Sequence, residues 1–315
     1  MNRAVEAAGE GILAGIGSTP LIELRKVVPP GSARVLAKLE FANPTGSMKD
    51  RMAAAAISAA EARGAIRPGD TVVEYTAGTT GISLALVCAA KGYRLHVVFS
   101  DAFSDEKRRT MEALGATVED ISSDHGKITE QLIKAMIARA GELSAQPGHW
   151  ACDQLNNHNA IKGYLALGEE IWQQSYGRVD AFVQFVGTAH SIHGTARGLR
   201  AHIPGVRIIA AEPTESAVLS GEPTGSHRIE GTGIGFVPPL WEPAEVNGIE
   251  RVSSEEAMAM SRRLAREEGI FAGTSSGGNV VAALRVAKVL GPDATVVTVM
   301  VDSGFRYLST GLYGN

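Results

Sequence analysis

Residues 71–92 of the 315-residue chain read TVVEYTAGTTGISLALVCAAKG, a strand, a turn and a helix in direct succession. The first five residues have the apolar, β-branched composition of a buried strand. Residues 81–91 form an apolar helix, and Gly92 gives that helix a stop signal. A strand followed at once by a helix is the repeating unit of a parallel sheet, so this stretch predicts an α/β fold.

The same alternation runs along the rest of the chain. Strands are also predicted at 35–41, 94–100, 117–121, 180–185, 206–212 and 295–301, and helices at 49–63, 104–114, 128–140, 160–174, 192–202, 253–267 and 276–290. Residues 214–250, rich in Gly and Pro, show no periodicity, and segments of that length are usually functional or mobile. The chain exceeds the size at which single cores usually split, so we expect two α/β units with a seam near 150–158.

Composition narrows the class of protein. With 44% hydrophobic residues, 20% charged residues and a net charge of -4, the chain has the composition of a globular protein with no general attraction to nucleic acid. No apolar run reaches the roughly 18 residues of a membrane span. The N-terminus lacks the pattern of a signal peptide, and the two cysteines fit a reducing compartment. We therefore expect a cytoplasmic protein.

Two turns combine glycine with hydroxyl side chains at points where a strand gives way to a helix. The first consists of Thr76, Ala77, Gly78, Thr79 and Thr80, and the second of Gly187, Thr188, Ala189, His190 and Ser191. Free backbone N–H groups at a helix N-terminus bind carboxylate or phosphate, and ligands of open α/β sheets bind at the carboxyl ends of strands. Each turn taken alone is equally compatible with a simple helix cap.

A lysine lies in a third turn. Residues 43–51 read NPTGSMKDR and lead into an alanine-rich helix, which places Lys49 at the start of that helix. A lysine held by a turn is suited to form a Schiff base with a carbonyl cofactor. Most lysines are solvated surface charges, and position alone leaves that alternative open.

Residues 43–51 resemble the Asn-Pro-Ser-Gly-Ser-Val-Lys-Asp-Arg segment of the cysteine synthase and cystathionine β-synthase family, which are fold-type II enzymes dependent on pyridoxal 5'-phosphate (PLP). The likeness extends to residues 17–21, 112–116 and 302–310. It implies the tryptophan synthase β-like fold, with two three-layer α/β domains and the cofactor in the interdomain cleft. The smaller, mobile N-terminal domain would comprise 1–12 and 37–153, and the larger PLP-binding domain 13–36 and 154–315. A homodimer is also implied.

The resemblance carries roles onto individual residues. Lys49 would hold PLP as an internal aldimine and shuttle the α-proton, and Ser303 would bond the pyridine nitrogen. The cofactor-binding set would be Lys49, Thr79, Gly187, Thr188, Ala189, His190, Ser191 and Ser303. The substrate-binding set would be Thr76, Ala77, Gly78, Thr80, Gln154 and Gly231. No metal is expected.

The implied reaction is β-replacement on an O-activated L-serine through an aminoacrylate, with sulfide or another small nucleophile. One alternative ends in water, as in a serine or threonine ammonia-lyase or a cysteine desulfhydrase. Another is a non-catalytic paralogue that binds a partner peptide in the cleft. A nicotinamide-dependent dehydrogenase ranks last, because no Gly-x-Gly-x-x-Gly follows the first strand.

The sequence departs from the family in both glycine and hydroxyl turns. Ala77 and Thr79 replace a serine and an asparagine, which shortens the donors for substrate. Ala189 and His190 replace two glycines. His190 is expected either to assist phosphate binding and sense pH near neutrality, or to point outward and be silent. A metal pair with His193 is a further, weaker hypothesis, and residues 105–109 are predicted to form a solvated helix face.

Overall fold

The computed structural model describes residues 11–127 and 129–314, with the backbone alone at Glu130. Expectations for residues 1–10, and for a helix beginning at Ile128, therefore concern positions outside the described residues. The strands are β1 Leu21–Glu23, β2 Arg34–Leu39, β3 Thr71–Tyr75, β4 Arg94–Ser100, β5 Thr117–Ile121, β6 His149–Ala151, β7 Ala181–Phe185, β8 Arg207–Pro213, β9 Gly248–Val252 and β10 Thr295–Met300. The helices are α1 Lys49–Ala62, α2 Thr79–Lys91, α3 Asp105–Ala113, α4 Glu130–Ser144, α5 Leu165–Gln174, α6 His190–Arg200, α7 Ser254–Arg263 and α8 Thr274–Leu290.

These strands form two sheets. A four-stranded, all-parallel sheet has the order β5-β4-β3-β6, and a six-stranded sheet has the order β1-β2-β10-β7-β8-β9. The six-stranded sheet is parallel apart from the antiparallel edge pair β1–β2. The central strands β7 and β10 are buried along their whole length, as expected for parallel strands covered on both faces.

Helix α1 packs closely along a row of three buried alanines. Ala53, Ala56 and Ala60 are fully buried in the same core as residues from both sheets. Approach is closest at Gly163, where an added Cβ would lie 2.3 Å from the carbonyl oxygen of Arg51. Alanine and glycine thus let the backbone that carries Lys49 approach its neighbours.

The predicted secondary structure is largely confirmed. Strands β3, β4 and β5 have the predicted bounds, because each is a compact run of strand-forming residues between turn signals. Strands β1 and β6 were not predicted, since three residues are too few to show alternation. The predicted helix 160–174 is instead a 3₁₀ segment, His158–Tyr164, followed by α5. Within the irregular stretch 214–250, three 3₁₀ turns and the start of the edge strand β9 are present.

The two sheets occupy different parts of the chain. The four-stranded sheet is built from residues 71–151, and the six-stranded sheet from 21–39 and 181–300. The division of the chain into two domains with the boundaries given above stays a prediction. Across the described ranges, no helix combines the length and the apolar character needed to cross a bilayer.

Candidate active site

The turn before α1 is fixed by backbone contacts with the C-terminal segment. Met48 N–H donates to Val301 O at 3.0 Å, and Ser303 N–H donates to Gly46 O at 3.0 Å. Gly46 has φ +78°, and a Cβ there would lie 3.3 Å from Ser303 Cβ. These contacts place the first residue of α1, Lys49, on a segment directly beside Ser303.

Lys49 has the electrostatics of an amine prepared for covalent chemistry. Burial lowers the pKa of its ammonium from 10.5 to about 8, while the nearby carboxyls of Glu74 and Asp302 act in the opposite direction. A lowered pKa increases the fraction of neutral, nucleophilic amine near neutral pH.

Residues 76–80, named here the carboxylate loop, lead from β3 into α2. Thr76 Oγ1 accepts from Gly78 N–H at 2.9 Å, and Thr80 Oγ1 donates to Gln154 Oε1 at 2.8 Å. In the described part of the chain, no acceptor takes the N–H groups of Ala77, Thr79 and Thr80. The loop therefore offers three free donors at a helix N-terminus, which suits a carboxylate.

A buried acid beneath this loop was not singled out from the sequence. Glu74 is 2% exposed, and its two carboxyl oxygens accept from the N–H groups of Tyr75 and Gln154, each at 3.1 Å. Burial raises the pKa of Glu74 from 4.5 to about 8. Glu74 thus links Tyr75, the residue before the carboxylate loop, to Gln154. An acidic residue inside an otherwise apolar strand was the signal that could have identified it.

Residues 187–191, named here the phosphate loop, lead from β7 into α6. An added Cβ at Gly187 would lie 2.5 Å from Gly231 O, so only glycine allows this loop to contact residues 231–235, the glycine segment. Gln184 Nε2 donates to Ser191 Oγ at 2.7 Å. The N–H groups of residues 188–191 donate to no acceptor among the residues described. This arrangement is a second anion cup at a helix N-terminus.

His190 is an internal part of the phosphate loop. It is 1% exposed, and its Nδ1 lies 2.7 Å from Thr188 Oγ1. Burial, with a further contribution from Lys49, lowers the pKa of His190 from 6.5 to about 3. The outward-pointing alternative is therefore wrong. The lowered pKa also argues against pH sensing near neutrality, because burial favours the neutral imidazole.

Two other expectations about polar side chains are also corrected. His193 Nδ1 lies 2.9 Å from Glu245 Oε2, and its Nε2 accepts from Glu242 N–H at 3.1 Å, which leaves neither ring nitrogen for a metal shared with His190. The predicted solvated face at 105–109 is wrong for Lys107, which is 3% exposed and pairs with Glu230.

These groups fit a cofactor that carries an aldehyde, a phosphate and a pyridine ring. Lys49 would hold the aldehyde carbon, and the phosphate loop would hold the phosphate. Ser303 Oγ accepts from Phe305 N–H at 3.3 Å, which leaves its own proton for the ring nitrogen. Fold and site together define an α/β enzyme whose buried lysine is suited to bind a carbonyl cofactor.

The chain belongs to the family of pyridoxal-phosphate dependent enzymes, whose profile matches residues 12–302. A cysteine synthase of Staphylococcus aureus is 44% identical over 300 residues, 95% of each chain. Among solved structures, O-acetyl serine sulfhydrylase isoform 3 from Entamoeba histolytica has a TM-score of 0.92 at 35% identity, covering 100% of this chain and 94% of that one. An O-acetylserine dependent cystathionine β-synthase from Helicobacter pylori has a TM-score of 0.90 at 35% identity, covering 98% and 100%.

The comparisons confirm three expectations from the sequence: the cysteine synthase-like family, the tryptophan synthase β-like fold and dependence on PLP. The roles of individual site residues stay predictions. The structure nevertheless places these groups beyond the carboxyl ends of parallel strands. The carboxylate loop follows β3, Gln154 follows β6, the phosphate loop follows β7, and Ser303, beside the turn that carries Lys49, follows β10.

Proposed function

We propose that this protein makes L-cysteine from O-acetyl-L-serine and sulfide. The reaction class, PLP-dependent replacement at Cβ of an O-activated L-serine, rests on the cysteine synthase and O-acetyl serine sulfhydrylase relatives. The names of these relatives support the choice of O-acetyl-L-serine and sulfide. Within the chain, the observation that carries the reaction class is the placement of Lys49 and Ser303 on adjacent segments. A serine hydroxyl, unlike a carboxylate, does not hold a pyridine nitrogen protonated, which favours loss of a β-substituent over transamination.

Different residues bind the substrate, bind the cofactor and transfer the proton. When bound, PLP supplies the electron sink that makes the α-proton and the β-substituent labile. The free N–H groups of the carboxylate loop, with Gln154, bind the substrate α-carboxylate. Thr188, Ser191 and the N–H groups around them bind the cofactor phosphate. Lys49, whose pKa is lowered to about 8, moves the α-proton at its Nζ.

The experiment is a matrix of amino-acid donors against nucleophiles, read by the mass of the product. O-acetyl-L-serine, O-phospho-L-serine, L-serine and L-cysteine are the donors, and sulfide, a larger thiol and water are the acceptors. We expect L-cysteine from O-acetyl-L-serine and sulfide. Pyruvate and ammonia as the main products with every donor would instead establish elimination.

One observation favours a second candidate, replacement by a larger thiol such as L-homocysteine. Ala77 and Thr79 have shorter side chains than the serine and asparagine of the family, which leaves more room in the carboxylate loop. The Helicobacter pylori relative is named for cystathionine synthesis. The ratio of kcat/KM for sulfide and for homocysteine, with O-acetyl-L-serine fixed, separates the two candidates.

We also propose, from the family resemblance, that the protein is a cytoplasmic homodimer whose smaller domain moves over the substrate. Sedimentation of the holoenzyme tests the dimer. A non-catalytic protein that binds a partner peptide in the cleft stays an alternative. Absence of turnover with every donor would favour it, and turnover with any donor would reject it.

A further inference from the structure

Lys107 is buried although it belongs to an otherwise polar helix. It lies on the third position of α3, and its side chain is 3% exposed. Its methylene stem packs on Gly78 so closely that a Cβ added there would lie 2.5 Å from Lys107 Cδ and 2.8 Å from Lys107 Cβ. Gly78 has φ +120°, so this contact and the backbone geometry both require glycine.

The ammonium of Lys107 reaches two further segments that line the site. Its Nζ donates to Glu230 Oε2, in the residue next to Gly231 of the glycine segment. It also lies 5.5 Å from the centre of the Tyr307 ring, whose hydroxyl donates to Asp302 Oδ2 at 2.8 Å. Asp302 precedes Ser303. One side chain thus contacts the carboxylate loop, the residue that precedes the glycine segment, and Tyr307.

The partner of Lys107 is itself anchored to a rigid element. Glu230 N–H donates to Thr274 Oγ1 at 3.2 Å, at the first residue of α8. The neighbouring Gly231 O is the atom against which Gly187 packs. The ion pair therefore connects a loop of the four-stranded sheet to the segment that abuts the phosphate loop.

We propose that Lys107, through its ion pair with Glu230, is a positioning residue that holds the carboxylate loop in its substrate-binding conformation. This inference rests on the proposed function of that loop as the site of the substrate carboxylate. The pair fixes Gly78 from outside the loop, and within the described ranges Lys107 bonds to neither Lys49 nor the phosphate loop. Breaking the pair should weaken amino-acid binding and leave the chemical step nearly intact.

The test compares wild-type holoenzyme with Lys107→Met, Glu230→Gln and Arg109→Met. Methionine keeps the stem that packs on Gly78 and removes the charge, while glutamine removes the charge of the partner. Arg109 is on the same helix, and its side chain is 78% exposed, so Arg109→Met is the matched control. Two readouts are used: hydrogen exchange of peptides covering residues 76–81 without substrate, and steady-state kinetics with O-acetyl-L-serine and sulfide.

We expect Lys107→Met and Glu230→Gln to speed loop exchange and to raise KM for the amino acid by about tenfold each, with kcat within about twofold of wild type. The double variant should add little to either single one, because both remove the same pair. Arg109→Met should change neither readout. Because Glu230 is 37% exposed, its variant carries the test even if Lys107→Met fails to fold.

Unchanged loop exchange with unchanged KM in both variants would overturn the proposal, and so would a loss of kcat at constant KM. Hydrogen exchange needs no turnover. Faster loop exchange in enzyme that makes no cysteine would therefore support the positioning role while rejecting the proposed reaction.

Discussion

The carboxylate loop and the phosphate loop have the same local design but differ in what holds them. Each follows a parallel strand, opens a helix and presents free N–H groups. In the carboxylate loop Thr76 and Thr80 are 2% and 3% exposed, but Ala77 between them is exposed and Thr79 is partly buried. In the phosphate loop Thr188, Ala189 and His190 are 8%, 2% and 1% exposed.

The supports of the two loops differ accordingly. Side chains from elsewhere in the chain, Glu74, Lys107 and Gln154, fix the carboxylate loop. The phosphate loop is fixed largely by its own packing and by the bond between Thr188 and His190. Two contacts come from outside it, that of Gly187 with Gly231 O and the bond from Gln184 to Ser191. The difference matches the roles we propose, since a substrate must enter and leave whereas a cofactor stays. Distant substitutions should therefore loosen the first loop more than the second.

The largest loss of activity is expected at Lys49, on which the proposed functions of both loops depend. Lys49→Ala removes the amine that would hold the cofactor and move the α-proton, so turnover should fall by at least about 10³-fold. The yellow colour of bound cofactor should also be lost on dialysis. Absorbance and the product assay measure both. Lys91→Ala is the control, because Lys91 pairs with Glu61 on another helix. A coloured, active Lys49→Ala protein would show that Lys49 does not hold the cofactor, and the roles proposed for the two loops would then lose their support.

A smaller effect is expected from the support of the carboxylate loop. Glu74→Gln replaces one accepting oxygen by an amide that cannot accept from Tyr75 or Gln154, so one buried N–H loses its partner. We expect kcat/KM for the amino acid to fall by about 10- to 100-fold while affinity for PLP is retained. Equal losses of PLP and substrate affinity would show that the two loops are not held independently.

The same acid gives a pH dependence with a definite sign. Because the pKa of Glu74 rises from 4.5 to about 8 on folding, the folded protein keeps a proton that the unfolded chain releases between those values. Stability contributed by this group is therefore present below about pH 4.5 and is lost as the pH rises toward 8. Denaturant titrations should show wild type losing stability relative to Glu74→Gln across that window. A constant difference between the two proteins would contradict the raised pKa.

Within the phosphate loop the expected effect is smaller and does not depend on pH. His190→Ala removes the bond to Thr188, so the dissociation constant of PLP should rise by about fivefold, the equivalent of one neutral hydrogen bond. The pH profile of activity between 6 and 8 should not move, since the pKa of His190 is lowered to about 3. A shifted profile would mean that the histidine is charged and that this loop, too, responds to its surroundings.

The sequence predicts the phosphate loop better than the supports of the carboxylate loop, for a physical reason. Parallel strands such as β4 are continuous apolar runs, and turn residues such as Gly187 act locally, so both are visible in a short window. Glu74 and Lys107 act through partners that lie far along the chain, Gln154 and Glu230. A sequence window does not contain such a distant partner, which is why the charge pattern at residues 105–109 predicts a uniform surface face.

The smallest effect is expected from Ala189→Gly. Ala189 has φ +69°, where an L-residue is strained by about 1–2 kcal/mol. Glycine relieves that strain, but it loses a buried methyl worth about 0.8 kcal/mol and costs about 0.4–1 kcal/mol of chain entropy. The free energy of unfolding should therefore change by less than about 1 kcal/mol, as measured by denaturant titration. The opposite exchange, Gly78→Ala, has no compensating term, because a methyl there is strained at φ +120° and displaces Lys107. It should destabilise the protein more and weaken substrate binding, and equal effects of the two exchanges would mean that the loops are supported alike.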